Sequence, residues 1–422
     1  MNYKKALDWL DSFQRFGIKL GLERIEHICE KLGNPQKNYK IIHVGGTNGK
    51  GSVCRFLESI LRCSGYNVGI YLSPHLQRFS ERIVVNNKEI SESEIVSLVE
   101  NIKPIVDEMK ENTPTYFEIV TAMAFQYFKE KNVEFAVVEV GLGGRYDATN
   151  IVDPIATIIT NVTLEHQNIL GKKVEEIAFQ KAGIIKNDVP LITAASGKAL
   201  NVIKKVASEK NSPVTIVNDT FWEKNQGGVD WQEFMIKGCL KEYVAKTSLA
   251  GKHQGENISL ALATIENLQM NGVYITDESI FNGIEKTTHA GRMEIVGFEP
   301  MILLDGAHNV AGISCLKNTL KEDFVYDKLI LVLGILSDKN VKEMLKIITP
   351  LADVIVTTKS HNERASNPHK LKEMIKEKEV IIKDEIPDAI DYAKNVAKKN
   401  DLICVTGSLF TVGEARSHLQ KH

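Results

Sequence analysis

Aliphatic runs too short for a helix alternate along this chain with stretches in which apolar side chains return every three or four residues. The runs fall at Ile41 to Val44, Val68 to Leu72, Phe135 to Val140 and Ile155 to Thr160. Each reads as a strand, and the helical lengths between them make the strands parallel, with helices on both faces of the sheet. A helical stretch precedes them and ends near Gly33-Asn34-Pro35. From about Ser196 to Lys246 the rhythm lapses into a more polar segment holding Trp222 and Trp231, which predicts a small β-rich excursion. Regular alternation returns with runs at Met301 to Leu304, Leu329 to Leu333, Val354 to Thr357, Val380 to Ile382 and Leu402 to Thr406, so a second α/β unit is expected. The junction falls at about residues 288 to 298, after a helix around Glu278 to Lys286.

One segment adds chemistry to this pattern. The strand Ile41 to Val44 runs directly into Gly45-Gly46-Thr47-Asn48-Gly49-Lys50-Gly51-Ser52, and Val53, Phe56, Leu57, Ile60 and Leu61 then recur at the spacing of a helix with one apolar face. Strand, glycine turn and helix in this order form a phosphate-binding site. Glycines let successive backbone N–H groups converge on phosphate oxygens, the helix N-terminus adds partial positive charge, and Lys50 supplies a full one. The usual G-x4-G-K-[ST] spacing is not met, because Val44 stands where the first glycine belongs and the hydroxyl is Ser52, one place late. The alternative is a glycine turn with a purely structural role.

A triphosphate brings a divalent cation, and Mg2+ takes hard oxygen ligands while keeping several waters. Its ligands belong at the ends of strands neighbouring the loop. Ser73, Glu139 and His166 stand at such places; each also has a plainer reading, as a turn residue before Pro74, an ion-pair partner and a loop histidine. Lys181 shares a helical face with Ile177, Ile184 and Ile185, so it either snorkels to water or lies buried with a lowered pKa. A buried neutral amine could add carbon dioxide and become an anionic carbamate that orients the magnesium.

Composition narrows the class of partner. The chain has 422 residues, enough for two domains, and its 52 basic and 54 acidic residues leave a net charge of −2, which gives no field to gather nucleic acid or an anionic membrane. Six scattered cysteines show neither a CxxC pair nor metal-ligand spacing, as expected of free thiols in a reducing compartment. The N-terminus carries Asp8 and Asp11 and does not read as a signal peptide, and no apolar run approaches the ~20 residues of a membrane span. A cytoplasmic monomer is the expectation.

Beyond these features, an ordered set of segments resembles a known family. GGTNGKGS at 45–52, SPH at 73–75 with ERI at 81–83, FEIVTAMAF at 117–125, EVGLGGRYDATN at 139–150, QKAGIIK at 180–186, HQGEN at 253–257, DGAHN at 305–309 and VTGSLFTVGEAR at 405–416 are similar to folylpolyglutamate and dihydrofolate synthases, members of the Mur ligase superfamily. The resemblance implies a P-loop-type, mostly parallel-sheet domain over residues 1–290 and a smaller Rossmann-like domain over 291–422. It implies ATP binding by Gly46, Thr47, Asn48, Gly49, Lys50, Gly51 and Ser52, with Asn257, Arg292 and Asp305 holding the nucleotide from the far side and His308 beside them. Ser73, Glu139 and His166 match magnesium ligands, and Lys181 matches a lysine that is carbamylated in the family. Lys50, Lys181 and His308 are the catalytic candidates. Thr115, Phe117, Glu118, Tyr146, Asp147 and Ala148 match segments that contact a pterin-bearing substrate.

The sequence departs from the family pattern at Glu165, where an aspartate is usual, at Ala290, where a proline is usual, and at Tyr146, where a smaller apolar residue is usual. The implied activity is ATP-dependent ligation of L-glutamate to a folate or dihydropteroate through an acyl phosphate. Two rivals remain open: another ligase of the superfamily acting on a cell-wall precursor, which would need a UDP-binding domain ahead of the loop, and a P-loop kinase or nucleotide-dependent binding module.

Overall fold

A computed structural model describes residues 1–17, 19–376 and 378–420. Eight strands build the larger sheet: β1 (Lys40–Gly45), β2 (Val68–Tyr71), β3 (Ile83–Val85), β4 (Lys88–Glu89), β5 (Phe135–Glu139), β6 (Ala156–Ile159), β7 (Leu191–Thr193) and β8 (Val214–Ile216). Their order is β4-β3-β2-β5-β1-β6-β7-β8, parallel from β2 to β8. The strands β1, β2, β5 and β6 are the four read from the sequence, and β1 runs through the centre, buried from Ile41 to Gly45. Antiparallel β3 and β4 close one edge as a hairpin. Asn86 and Asn87, both at positive φ, make its two-residue turn, a conformation asparagine tolerates better than most residues.

The polar excursion resolves into three parts. Gly197–Glu209 is a helix, because Ala199, Ile203, Val206 and Ala207 fall on one buried face. The strand β8 then extends the main sheet. Only β9 (Trp222–Gly227), β10 (Gln232–Lys237) and β11 (Glu242–Thr247) form a separate antiparallel sheet. The β-rich expectation therefore holds for 214–216 and 222–247 and not for 197–209, where helical periodicity was present but masked by lysines.

The second lobe carries β12 (Glu294–Phe298), β13 (Met301–Asp305), β14 (Leu329–Leu333), β15 (Val354–Thr357), β16 (Val380–Ile382) and β17 (Leu402–Thr406) in the order β12-β13-β17-β14-β15-β16. All pairs are parallel except β12 with β13. Two apolar clusters cover its faces, one holding Leu303, Leu331 and Ile355, the other Leu304, Val332 and Val356. Alternate residues of one strand thus pack on opposite sides, as the two-residue period of a strand requires.

The helix Lys50–Cys63 that leaves the phosphate loop is held from both sides, by the helix Gln254–Met270 and by Asp277–Glu285. At Gly283 the second contact is so close that an added Cβ would lie 2.5 Å from the Ile60 Cα. Gly283→Ala should therefore force these helices apart and cost about 1–3 kcal/mol, read as a lowered melting temperature. No helix among the described residues is long and apolar enough to cross a membrane.

Candidate active site

A cleft of about 710 Å³ opens between the lobes, at the C-terminal ends of β1, β5 and β13. All seven residues from Gly46 to Ser52 line it, together with Ser73, Glu139, His166, Lys181, Asn257, Arg292, Asp305 and His308. Strand ends that face one another across two sheets supply most of these groups, as expected for parallel α/β folds.

The loop is shaped by what packs behind it. Gly46 has φ +134°, and a Cβ there would sit 1.8 Å from the Thr160 Oγ1, whose hydroxyl donates to the Asn48 carbonyl at 2.7 Å. Gly49, at φ +86°, precedes the first helical residue, and a Cβ on it would meet the Asn257 Oδ1 at 2.4 Å. Glycine is required at both positions by conformation and by contact. Asn161 fixes the loop further: its carbonyl accepts from the Thr47 N–H and its Oδ1 from the Asn48 N–H, at 2.8 and 3.0 Å. The Lys50 ammonium donates to the Thr47 carbonyl at 3.1 Å and stays in the cleft wall.

Lys181 is buried rather than snorkelling, with 1% of the residue exposed. Its ammonium donates to the Gly46 carbonyl and to the Glu165 Oε1, both at 2.7 Å. Burial lowers the Lys181 pKa to about 8, against the pull of Glu165. Burial alone would raise the Glu165 carboxyl, but Lys181 and then Lys50 bring it down to about 2. The ion pair thus braces the phosphate loop from beneath.

Glu139 ends β5 as a buried carboxylate whose Oε2 accepts the Ser73 N–H at 2.9 Å. Burial raises its pKa, with Lys50 opposing. A buried hard-oxygen donor of this kind fits a divalent cation, which would supply the compensating charge. Among the described residues no three His, Cys, Asp or Glu side chains form a group that could hold a metal ion by themselves.

From the opposite wall, Arg292 donates to the Gly306 carbonyl at 3.3 Å and lines the cleft. His308 shares that carbonyl through Nδ1 at 2.8 Å, and its pKa is lowered to about 4 by burial and by Arg292. A neutral ring with Nδ1–H engaged leaves Nε2 as a lone-pair acceptor. Asp305 is used structurally: its carboxylate accepts the backbone N–H groups of Met293 and Ala307, each at 3.0 Å, and so pins the interlobe turn. Asn257, expected on the far side, stands on the helix Gln254–Met270 of the first lobe, against the phosphate loop itself.

The proposed acceptor-binding residues are not brought to the cleft wall. Thr115 and Glu118 form the capping box of the helix Tyr116–Glu130, and Glu118 also takes the buried Arg24 guanidinium at 3.0 Å. Asp147 caps the turn Ala148–Ile151, accepting from the N–H groups of Leu142 and Thr149, and Ala148 is buried. Phe117 stacks on Tyr71 directly behind the cleft residue Gly141, and only Tyr146, 46% exposed, faces solvent freely. Glu118→Gln should consequently cost about 1–3 kcal/mol of stability by weakening a buried charged hydrogen bond, visible as a lower urea midpoint.

Several cleft residues were not singled out from the sequence, including His253, His289, Cys315, Lys339 and Arg364. Of these, His253 lay inside the quoted HQGEN segment. Across the cleft, the Asn309 amide donates to the Asn48 Oδ1 at 3.0 Å, so the two lobes touch at the phosphate loop.

Models of two known domains match the chain: the Mur ligase middle domain over residues 44–265 and the Mur ligase glutamate ligase domain over residues 291–409. The dihydrofolate synthase/folylpolyglutamate synthase of Bacillus subtilis is 37% identical over 426 aligned positions, covering 99% of each chain. Among solved structures, Mycobacterium tuberculosis folylpolyglutamate synthase complexed with ADP and AMPPCP superposes with a TM-score of 0.91 at 30% identity, over 99% of both chains. The Thermotoga maritima folylpolyglutamate synthase gives 0.86 at 37% identity, over 99% of this chain and 96% of that one. A phosphate loop facing an arginine and a histidine across an interlobe cleft, in a chain with these full-length relatives, places the protein in the folylpolyglutamate and dihydrofolate synthase family of Mur ligases.

Proposed function

We infer that this protein is an ATP- and magnesium-dependent ligase that activates a folate carboxylate as its acyl phosphate and joins it to L-glutamate. The γ-carboxylate of a reduced folate is the acceptor read here, with dihydropteroate as a further acceptor for the same site. The observation that carries the reading is the pairing of Lys50 and the loop amides on one wall with Arg292 and His308 on the other.

Phosphoryl transfer to a carboxylate brings two anions together, and catalysis consists mainly of positioning and charge neutralisation. The amides of Gly46 to Ser52 and the Lys50 ammonium would hold the phosphates, with Asn257 setting the loop at Gly49. Arg292 would meet the same charge from the second lobe. Glu139, Ser73 and His166 would hold the magnesium ion, which when bound supplies positive charge at the phosphates. Asp305 acts by fixing the backbone beside Arg292 and His308. The lone pair on the His308 Nε2 would take a proton from the neutral amine nitrogen as that nitrogen bonds to the acyl carbon and phosphate leaves. Contacts between the lobes at Asn48 and Asn309 would shut water from a hydrolysable acyl phosphate.

The division at residues 290 and 291 belongs to the same reading, because the turn carrying Arg292 would be the hinge. Tyr146 and Phe117 would border the acceptor, Phe117 from behind Gly141. Lys181, with its pKa near 8, retains enough neutral amine in mildly alkaline solution to add carbon dioxide. In that step the amine nitrogen bonds to the carbon and releases a proton to solvent, and Glu165 has to yield its place.

The test is glutamate-dependent ADP release from Mg-ATP with tetrahydrofolate or 7,8-dihydropteroate as acceptor. Release with tetrahydrofolate alone marks a polyglutamylating enzyme and release with both a bifunctional one. Release that needs no glutamate would overturn the ligase reading in favour of a kinase.

A further inference from the structure

His289 lies in the turn between the lobes, three residues before Arg292, yet its ring reaches the phosphate loop. Its Nδ1 stands 3.1 Å from the Ser52 Oγ, in the first turn of the helix that leaves the loop. The contact is tight: a Cβ on Gly51 would fall 2.8 Å from the His289 Cε1. The same turn is tied to the second lobe, since the His289 carbonyl accepts the Arg292 N–H at 3.2 Å and the Gly291 carbonyl accepts the Gly306 N–H at 2.8 Å. His289 is therefore the side chain through which the turn carrying Arg292 grips the phosphate-binding helix.

We propose that His289 is a positioning residue for the ligase reaction: its Nδ1 accepts the Ser52 hydroxyl proton, turns the Ser52 oxygen lone pairs toward the cleft, and couples nucleotide binding to the placement of Arg292. The inference rests on the ligase reading above.

The proposed direction requires a neutral ring, which the surrounding charges supply. Arg292 and Arg55 face the ring, Glu139 approaches Gly51, and burial together with the two guanidinium groups lowers the imidazole pKa well below its usual value. A neutral ring has one acceptor nitrogen. If Nδ1 is that nitrogen, Ser52 keeps both lone pairs for the phosphate end of the nucleotide. The reverse tautomer would occupy one lone pair with the ring N–H and turn the hydroxyl hydrogen into the cleft instead.

Three variants separate this role from simple packing. In His289→Asn the amide oxygen can take the place of Nδ1, whereas His289→Leu fills the space without an acceptor, and Ser52→Ala removes the partner. Steady-state kinetics and Mg-ADP titration would be run on each, with melting temperatures alongside. His289→Leu should raise the KM for ATP and lower kcat by about tenfold each, and His289→Asn should restore most of both. In the Ser52→Ala background, leucine and asparagine at 289 should behave alike, the non-additivity expected of contacting groups.

Wild-type nucleotide affinity and turnover in His289→Leu would overturn the proposal. So would an asparagine variant as impaired as leucine at an unchanged melting temperature, or effects that simply add to those of Ser52→Ala. If leucine at 289 prevents folding, His289→Ala, which also lacks an acceptor, takes its place: it should raise the KM for ATP and lower kcat, and wild-type values in it would overturn the proposal. Failure of the ligase reading is distinguishable, because the wild-type protein would then show no glutamate-dependent ADP release while Mg-ADP binding still reports on His289.

Discussion

Lys50→Ala should abolish glutamate-dependent ADP release, lowering turnover at least about a thousandfold, which corresponds to about 4 kcal/mol of transition-state stabilisation. The reason lies in where the lysine stands. It is the first residue of the helix that leaves the phosphate loop, its ammonium reaches back to the Thr47 carbonyl at 3.1 Å, and it lines the cleft. The Asn161 contacts to the loop and the Thr160 hydroxyl behind Gly46 do not involve Lys50, so the loop should keep its shape without it. Far-ultraviolet circular dichroism and the melting temperature should consequently match the wild type. Turnover within tenfold of normal would remove Lys50 from the phosphate site and with it the reading of the whole cleft.

Lys181→Met should be the most destabilising of these substitutions, at about 3–5 kcal/mol, because it leaves the Glu165 carboxylate largely buried without its cation. The side chains of the pair are only 2% and 11% exposed. The Gly46 carbonyl also loses its donor, so the phosphate loop should loosen and nucleotide affinity should fall with stability.

The pH dependence has a definite sign. Glu165 has a folded pKa near 2, below its ordinary 4.5, so it binds fewer protons folded than unfolded across that interval. Its contribution is fully present above pH 4.5 and is lost as pH falls toward 2. Denaturant titrations of Lys181→Met should show this component removed, leaving a flatter acid limb than in the wild type. Equal stability of the two proteins at neutral pH would mean that the pair is replaceable by packing alone.

The residues that line the cleft were more legible than those expected at the acceptor, for a physical reason. Gly46 to Ser52 announce themselves because a phosphate loop needs glycines, a lysine and a helix start in consecutive positions. Ser73, Glu139 and His166 could be placed because parallel strands end at a common edge. Thr115, Glu118 and Asp147 look the same in sequence whether they touch a ligand or cap a helix, and here Glu118 is occupied by Arg24 and Asp147 by its own turn. His289 was invisible because its partner Ser52 is distant in the chain and its neighbours form no periodic pattern.

By itself, the sequence determined the two α/β units, the central strands of each sheet and the phosphate loop, since these follow from local periodicity and from backbone demands met within a few residues. The hairpin of β3 and β4 and the strands β7 and β12 escaped because they are short edge or near-edge strands with little apolar repetition. Only the tertiary structure decided that Lys181 is buried against Glu165, that Asn257 sits on the phosphate side, and that Asp305 serves the backbone. Those outcomes depend on which side chains arrive at one place from different elements, and burial, charge pairing and hydrogen-bond satisfaction are settled there rather than along the chain.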